Sequence, residues 1–410
     1  MIKNIADLRW QGFLRKNGGK GIRNKVLVVY TVECSKFVAQ RIAALADDMD
    51  VEVIGFDGCT DNEYAVRLLI ALIRHPNVGA VLAVGLGCEY IQPERLAEIA
   101  AQEGKEAAWM FIQNEGGSRR TIDKGLAVVR EMQEKLKLTP CVEMGVADLV
   151  IGAECGGSDY TSGLAGNAVV GRFYDMLVDT GGTAIFEEIV EAIGLVDHLS
   201  SRAANETARR QLVGTYNKAL EYCRSVKQYS VSPGNFAGGL STIEEKSMGA
   251  VVKSGIRPIQ GVLKVSQQPP AAGLWLLDTT PDPHWMQFGI TNPNDNEGLT
   301  ALIASGCHIV FLITGRGNVV GNAVAPVIKI TGNSETFKRM EDDMDFDAGR
   351  ALDGRSSLMN LVIELMLMVK NTAAGELTKA EVLGHKEYCI PYKFQEKQCR
   401  GDVPSPALKN

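Results

Sequence analysis

The sequence has little of what marks several common protein classes. Only five of its 410 residues are histidine. No serine, histidine and aspartate occur in an order that indicates the catalytic triad of a hydrolase. No apolar run reaches about 18 residues, the length of a membrane-spanning helix. The formal net charge is −6 and no basic run is present, so neither a membrane nor a nucleic acid is an expected partner. A small molecule is the expected ligand.

The cysteine content fits a reducing compartment. There are nine cysteines, an odd number, and no two are spaced as Cys-x-x-Cys. The first twenty residues lack the apolar core of a secretory signal, so a cytoplasmic location is expected. In that compartment free cysteines serve as buried hydrophobic residues, metal ligands or reactive thiols rather than as disulfides.

Short apolar runs alternate with amphipathic helical patterns along the chain. The runs include "KVLVVY" from residue 25, "VGAVLAVG" from residue 78 and "HIVFLI" from residue 308. Helical patterns such as "NEYAVRLLIALIRH", residues 62–75, lie between such runs. Buried strands that alternate with helices are typical of parallel sheets covered on both faces. We therefore expect an α/β protein with two Rossmann-like domains and mainly parallel sheets.

A change in texture near residue 228 separates the two expected domains. Residues 206–229 have the pattern of one long helix, which we interpret as a linker, and the following segment is rich in glycine and polar residues. The expected N-terminal domain spans residues 1–228 and includes the helical linker. The expected C-terminal domain spans residues 229–410 and contains a glycine-rich loop and the motif "TGRGN".

Four cysteines stand where predicted apolar strands end: Cys34, Cys59, Cys88 and Cys155. Ligands of open α/β sheets bind in the crevice outside the carboxyl ends of the strands. Four thiolates that converge there would suit iron, an iron–sulfur cluster or zinc. The alternative is four small buried hydrophobic residues, a common role of free cysteine.

The stretch "ECGGSD", residues 154–159, concentrates polar groups around two glycines. Glycines allow backbone N–H groups to approach an anion closely. In this setting Ser158 could hydrogen-bond a substrate hydroxyl, and Glu154 or Asp159 could bind a cation or transfer a proton. The alternative is that Ser158 or Asp159 caps a helix and the glycines form an ordinary turn.

Two later segments repeat this combination of glycine and polar residues. "PGNFAGGLSTIEEKSMG", residues 233–249, and "TGRGNVVGN", residues 314–322, contribute polar side chains at Asn235, Glu245, Lys246, Thr314, Arg316 and Asn318. The second segment is neither a dinucleotide fingerprint nor a P-loop, so a substrate carboxylate is the expected anion. A lysine beside carboxylates indicates either proton transfer or a surface ion pair.

These motifs resemble the altronate and galactarate dehydratases over nearly the whole chain. The resemblance also includes "GFLRKNGGKGIRN" (12–24), "GLGCE" (85–89), "GGTAIFEE" (181–188) and "DDMDFDAGR" (342–350). It implies a lyase that removes water from an aldonate or aldarate to give a 2-keto-3-deoxy acid. It also implies dependence on Fe²⁺ or another divalent metal, and the four thiols at strand ends leave an iron–sulfur cluster as the alternative.

The residues and the resemblance together give three groups of candidate site residues. The candidate catalytic residues are Lys246, Glu245, Asp159 and Arg316, with Lys246 or Glu245 as the base. The candidate substrate-binding residues are Gly156, Gly157, Ser158, Asn235, Thr314 and Asn318. The candidate metal ligands are drawn from Cys34, Cys59, Cys88, Glu89 and Cys155.

Three departures from the family pattern favour an altered substrate. Gly55 stands where the family has the histidine of His-x-x-Gly-Cys, and Phe236 stands where it has the lysine of Gly-Asn-Lys. Glu187-Glu188-Ile189 replaces the usual Ser-Glu-Thr. The missing histidine and lysine also leave a non-catalytic sugar-acid binding subunit as an alternative.

A second enzyme reaction is open as well. The chain is similar to the large subunit of sulfolactate sulfo-lyase, which releases sulfite from a 2-hydroxy-3-sulfo acid. Relatives carry a small β-rich domain ahead of the Gly-Arg-Asn motif, whereas about ten residues precede "GFLRKNGG" here. Either that domain is supplied as a separate small β-rich subunit or it is dispensed with. The expected partner is a hydroxy-acid substrate, and a small β-rich subunit and a homo-oligomer are both left open.

Overall fold

Two parallel sheets and one small antiparallel sheet form the framework of the protein. The computed structural model describes residues 5–59, 62–192, 194–227, 232–280 and 294–391. The strands are Arg9–Leu14 (β1), Lys20–Gly21 (β2), Lys25–Tyr30 (β3), Val51–Gly55 (β4), Val78–Gly85 (β5), Glu106–Phe111 (β6), Cys141–Gly145 (β7), Val150–Cys155 (β8), Thr183–Phe186 (β9), Ile259–Lys264 (β10), Gly273–Asp278 (β11), Ile309–Thr314 (β12), Val327–Thr331 (β13) and Phe346–Asp347 (β14).

The helices lie between the strands, as the alternating texture of the sequence predicts. They are Glu33–Ala46 (α1), Glu63–Arg74 (α2), Pro93–Gln102 (α3), Ile112–Glu115 (α4), Ser118–Leu136 (α5), Asn167–Asp179 (α6), Val196–Ser201 (α7), Glu206–Val226 (α8), Pro233–Ala237 (α9), Ile243–Val252 (α10), Asp295–Ala304 (α11), Ser334–Arg339 (α12), Leu358–Ala373 (α13) and Lys379–Leu383 (α14). No helix in the described part of the chain is long and apolar enough to cross a membrane.

The four-stranded sheet is wholly parallel, with the order β4-β3-β5-β6. Every residue of β3 and β5 is buried, because helices cover both faces of the sheet. One face packs against α1 and α5. The other packs against α2 and α3, which join a hydrophobic core that extends into the second sheet. This burial explains why both strands read as unbroken apolar runs in the sequence.

The seven-stranded sheet has the order β10-β11-β9-β8-β12-β13-β14 and is also parallel. Together the two sheets confirm the expected α/β class with mainly parallel sheets. After β8, the chain first adds β9, β10 and β11 on one side of this strand. It then crosses back and places β12 on the opposite side of β8. The change of direction between β8 and β12 is the kind of position at which α/β proteins bind ligands.

The division between the sheets differs from the expected boundary at residue 228. β8 and β9, expected in the first domain, pair with β12 and β11 in the seven-stranded sheet. The long helix α8 is not a linker, because it packs on β10 and contributes Leu212, Tyr216 and Ala219 to the core. The small antiparallel sheet, of order β2-β1-β7, pairs two strands from the start of the chain with β7, which directly precedes this division.

Candidate active site

A cavity of about 430 Å³ opens at the carboxyl edge of the seven-stranded sheet. Its walls come from the ends of β8, β9 and β11, from the start of α11, and from the segments that carry α9 and α10. Seven of the predicted site residues line it: Cys155, Gly156, Gly157, Ser158, Asn235, Lys246 and Arg316. The volume is within the range of small-molecule sites.

The glycines after β8 are required by the geometry of the turn. The Gly156 N–H donates to the carbonyl of Ile313 at 2.9 Å, and a Cβ on Gly156 would collide with the side chains of Asp295 and Asn318. Gly157 has a φ of +69°, which favours glycine. The turn therefore brings backbone groups to the cavity wall in a conformation that larger residues would disturb.

Thr314 and Asn318 support this turn from the neighbouring strand. The Thr314 hydroxyl donates to the Gly157 carbonyl at 3.2 Å and accepts from the Gly317 N–H at 2.9 Å. The Asn318 amide donates to the Asp295 carboxylate at 2.9 Å. Neither Thr314 nor Asn318 lines the cavity, so the structure gives both residues a supporting position behind the proposed binding surface.

Asp159 caps a helix, the role that the sequence left as its alternative. Its side chain is 5% exposed, and its Oδ1 accepts from the Thr161 N–H at 2.8 Å, the Thr161 hydroxyl at 2.5 Å and the Ser162 N–H at 3.2 Å. A π-helical turn, Ser162–Gly166, begins there and leads into α6. The carboxylate thus satisfies N–H groups at the start of this helical segment.

The two candidates for the base occupy different environments on α10. Glu245 does not line the cavity, and its carboxylate accepts from the Ser241 N–H at 2.7 Å and the Ser241 hydroxyl at 2.6 Å. These hydrogen bonds hold the pKa of Glu245 below its usual value. Lys246 is 9% exposed and lines the cavity. Of the two, Lys246 is the residue placed to meet a bound substrate.

Close packing of glycines positions α10. A Cβ on Gly163, in the π-helical turn, would lie 2.8 Å from the Cα of Gly249. A Cβ on Gly171 of α6 would collide with the carbonyl of Val252. These contacts leave no room for a side chain between α10 and the helical segment after β8, so they fix the depth at which Lys246 enters the cavity.

Arg316 and Asn235 join the glycine-rich loop to the turn after β8. The Arg316 guanidinium donates to the Gly234 carbonyl at 2.5 Å. The Asn235 amide donates to the Ser158 carbonyl at 3.0 Å, and its oxygen accepts from the Ser232 N–H at 2.9 Å. Arg316 is exposed at the cavity mouth, where a guanidinium is suited to a carboxylate.

Sequence reasoning missed a cluster of buried charges in the cavity wall. Glu187 and Glu188 follow β9 and are each 8% exposed. Glu187 accepts a short hydrogen bond from the Thr279 hydroxyl, and Glu188, with a φ of +75°, forms an ion pair with Lys253. The only signal was a pair of charged residues directly after a buried strand, in "GGTAIFEE".

Lys253 connects this cluster to Cys155. The Lys253 side chain is 1% exposed, and its Nζ lies 3.5 Å from the Cys155 Sγ. The same thiol lies 3.4 Å from the Asn167 Oδ1. Lys253 follows the apolar end of α10, in "MGAVVKSG", where the sequence gave no sign of a buried site residue.

The five candidate metal ligands are distributed over two sheets. Cys34 lies in α1, and Cys59 and Cys88 follow β4 and β5; all three are exposed at the edge of the four-stranded sheet. Cys155 ends β8 in the other sheet. The Glu89 carboxylate accepts from the Thr31 hydroxyl at 2.6 Å and from the N–H groups of residues 86, 87 and 88.

These positions do not fit one shared metal centre. Within the described ranges, no three His, Cys, Asp or Glu side chains are grouped so that they could hold a metal ion. The structure therefore identifies none of the five as a metal ligand, and the expected iron stays a prediction from the resemblance.

Comparisons with known proteins cover both sheets of the chain. Residues 146–395 match the family described as D-galactarate/Altronate dehydratase, C-terminal, and residues 12–137 match D-galactarate dehydratase/Altronate hydrolase, second domain. The two matches meet near the observed division between the sheets.

Three relatives are similar over nearly the whole chain. An altronate dehydratase of Bacillus subtilis (strain 168) is 32% identical over 93% of this chain and 77% of its own length. An altronate dehydratase of Escherichia coli (strain K12) is 30% identical over 94% and 78%. A (2R)-sulfolactate sulfo-lyase subunit beta of Chromohalobacter salexigens is 31% identical over 94% of this chain and 97% of that one.

Proposed function

We propose that this chain, which belongs to the D-galactarate/altronate dehydratase family, is a hydro-lyase that converts a sugar acid into a 2-keto-3-deoxy acid. The substrate loses a proton from C2 and hydroxide from C3, and the resulting enol tautomerises to the keto acid. The observation that carries the proposal is the placement of Lys246, Arg316 and the Gly156-Gly157 turn around one cavity.

The reaction requires a base and a positively charged surface. A proton α to a carboxylate is weakly acidic, and its removal creates a second negative charge that needs preorganised donors. We assign Lys246 as the base for the C2 proton, because it reaches the cavity and Glu245 does not. Arg316, at the mouth, holds the substrate carboxylate with the backbone of the glycine turn.

Two further parts of the proposal do not come from the cavity. The first is a requirement for Fe²⁺ or another divalent metal, which is proposed from the resemblance of the motifs and which we assign to no residue of the described chain. The second is a small partner subunit: one relative is itself a subunit beta. A homo-oligomer and a cytoplasmic location stay expectations from the sequence.

Sulfite release is the second candidate, favoured by a relative of almost the same length. The first half of that reaction is the same, since a base removes the proton from C2 of a hydroxy acid. It differs in the group that leaves C3, which is sulfite instead of hydroxide. The same cavity therefore serves either reaction, and the leaving group decides between them.

The test is a substrate panel with two readouts. Anaerobically purified protein, supplied with ferrous iron, is incubated with aldonates, aldarates and 3-sulfolactate, with and without a candidate small subunit. Keto acid and sulfite are both measured. Keto acid from a sugar acid without sulfite supports the dehydratase, and sulfite release supports the second candidate. Binding of a sugar acid without turnover of any compound would instead support a binding subunit.

A further inference from the structure

Glu154, for which the sequence suggested cation binding or proton transfer, lies in the cavity wall. Glu154 is the one charged residue of β8, is 5% exposed and lines the cavity. Its Oε2 is buried and accepts no hydrogen bond from any described residue. A buried, unpartnered oxygen strongly disfavours the ionised form of a carboxyl group.

The sheet places a second carboxyl group beside Glu154. Ala153 of β8 pairs with Phe186 of β9. The next residue after each of them is a glutamate, so Glu154 and Glu187 lie side by side on adjacent parallel strands. Such strands are about 4.8 Å apart. Two carboxylates at this spacing resist simultaneous ionisation. The Thr279 hydroxyl donates to Glu187, whereas the Glu154 Oε2 accepts no hydrogen bond from a described residue, so Glu154 is the member of the pair that holds the proton.

The helix above the pair keeps water away from Glu154. Gly298 of α11 faces the carboxyl group so closely that a Cβ there would meet its Oε2 and its Oε1. Only a residue without a side chain fits at this position of α11 while Glu154 keeps its place. The contact explains how an ionisable residue in a central strand remains almost fully buried yet borders the cavity.

The charges that face Glu154 come from three neighbouring elements and from its own strand. Burial raises the pKa of Glu154 well above its usual value, and Glu187 raises it further. Lys253, after α10, acts in the opposite direction, but its ammonium group is already paired with Glu188. Asp295 of α11 and Cys155 add to the increase.

We propose that Glu154 is a further catalytic residue that donates a proton to the hydroxyl group as it leaves C3. The inference rests on the proposed dehydration and assigns the acid that this reaction needs. Hydroxide is a poor leaving group, and protonation converts it to water. General acids of this kind contribute about 10²–10⁴-fold to a rate.

The proton transfers balance within the cavity. Lys246 takes the C2 proton, the C2–H electron pair forms the C2–C3 double bond, and the C3–O bond breaks. The departing oxygen takes the Glu154 proton and leaves as water. In the tautomerisation, the ammonium of Lys246 protonates C3, and the Glu154 carboxylate takes the proton of the C2 enol hydroxyl. Both groups return to their starting states without a co-reactant.

Glu154→Gln tests the proposal because the amide keeps the shape of the side chain but is not an acid. We expect kcat on the accepted sugar acid to fall about 10²–10⁴-fold with little change in KM. Glu131→Gln, at an exposed carboxylate on α5, is the matched control and retains the wild-type rate. Wild-type kcat in Glu154→Gln would overturn the proposal.

A substrate with a better leaving group separates an acid from a merely structural residue. The 3-chloro-3-deoxy analogue of the accepted sugar acid releases chloride, which needs no protonation. We expect Glu154→Gln to approach the wild-type rate with this analogue, measured as chloride release. An equal loss with both substrates would show that the variant damages the site as a whole and would overturn the proposal.

The protonation state of Glu154 is measured by infrared spectroscopy, without turnover of a substrate. The infrared difference between wild type and Glu154→Gln at neutral pH contains the C=O stretch of a neutral carboxylic acid if the proposal is right. Failure of the two proposals is then distinguishable. Keto acid formation without this band overturns the role of Glu154 alone, whereas no keto acid from any sugar acid overturns the dehydration and with it that role.

Discussion

At the scale of single residues, Arg23 and Glu381 form a buried ion pair between distant parts of the chain. The Arg23 Nε lies 2.8 Å from the Glu381 Oε1, and its Nη2 lies 2.9 Å from the Oε2. The guanidinium also donates to the carbonyls of Ile22, Thr372 and Glu376. Arg23 belongs to the "GKGIRN" segment, so this motif stabilises the fold rather than the cavity.

We expect Glu381→Gln to lower the free energy of unfolding by about 3 kcal/mol at neutral pH, because it leaves a buried guanidinium without its counter-charge. Urea denaturation measures the change. Glu376→Gln is the matched control, since this exposed side chain changes while the carbonyl that accepts from Arg23 remains. A change below about 0.5 kcal/mol in Glu381→Gln would contradict the assigned role.

The same pair predicts a pH dependence. Burial raises the pKa of Glu381, but the hydrogen bond and charge of Arg23 outweigh it, and the pKa lies below its usual value. The stabilisation is therefore complete above the pKa of the unfolded chain and is lost as the pH falls through the lower pKa of the folded state. The difference in stability between wild type and Glu381→Gln should shrink in acid; a constant difference would contradict this.

The positions of the cysteines predict which of them affect activity and iron content. Cys34 and Cys88 are exposed outside the cavity, whereas Cys155 lines it. Cys34→Ser and Cys88→Ser should each keep kcat within about twofold, and Cys155→Ser should lower it about tenfold, or about 1.4 kcal/mol. Iron content is measured in the same samples. Loss of both iron and activity in Cys34→Ser would instead support the thiolate centre expected from the sequence.

At the scale of elements, the contact between α10 and the π-helical turn sets the geometry of the site. Gly163→Ala would force these segments apart, since its Cβ would lie 2.8 Å from the Cα of Gly249. We expect a loss of about 1–3 kcal/mol in stability. Displacement of Lys246 by about 1 Å should lower kcat about 10²-fold. Both are measured on the same preparation.

Gly214→Ala is the control for this substitution. Gly214 lies in α8 with no atom within 4 Å of a Cβ built on it. Alanine there should stabilise the protein by about 0.4–1 kcal/mol and leave kcat unchanged. If Gly163→Ala behaved in the same way, the close contact could not be what positions α10.

The elements also show why sequence reasoning succeeded in some places and failed in others. β3, β5 and β12 were predictable because burial on both faces requires continuous apolar residues. The antiparallel strands β1 and β7 were missed, since β1 is partly exposed and alternates buried Trp10 with polar neighbours.

The site was predictable to the extent that its chemistry lies in short motifs. The turn Gly156-Gly157, Lys246 and Arg316 lie in such motifs, and the structure brings them to one cavity. Glu187 and Lys253 join the site only through strand register and helix packing, which depend on residues far away in the sequence. The sequence predicted that four cysteines converge, on the assumption that all four follow strands of one sheet. The chain forms two parallel sheets, and Cys155 belongs to a different sheet from the other three.

At the scale of the whole molecule, the two parallel sheets share a hydrophobic core. Leu27 and Leu69 from one sheet and its covering helix belong to the same buried cluster as Leu299 and Val310 from the other. The segment after α14 adds a second link, since the Tyr388 hydroxyl donates to the Tyr30 hydroxyl at 2.7 Å.

This shared core predicts that the two sheets unfold together. Trp109 reports on the four-stranded sheet and Trp275 on the seven-stranded sheet. Variants that retain one of these tryptophans, with the others replaced by phenylalanine, should give urea transitions with the same midpoint. Two separated midpoints would show that the sheets are independent folding units.

The proposed reaction depends above all on Lys246, which removes the C2 proton of a sugar acid bound at the carboxyl edge of the seven-stranded sheet. The most direct measurement compares keto acid formation by wild type and by Lys246→Met on the accepted substrate, with Lys338→Met, an exposed lysine on α12, as the control. We expect a fall of about 10²–10⁴-fold for Lys246→Met and none for the control. A Lys246→Met variant that forms keto acid at the wild-type rate would contradict it.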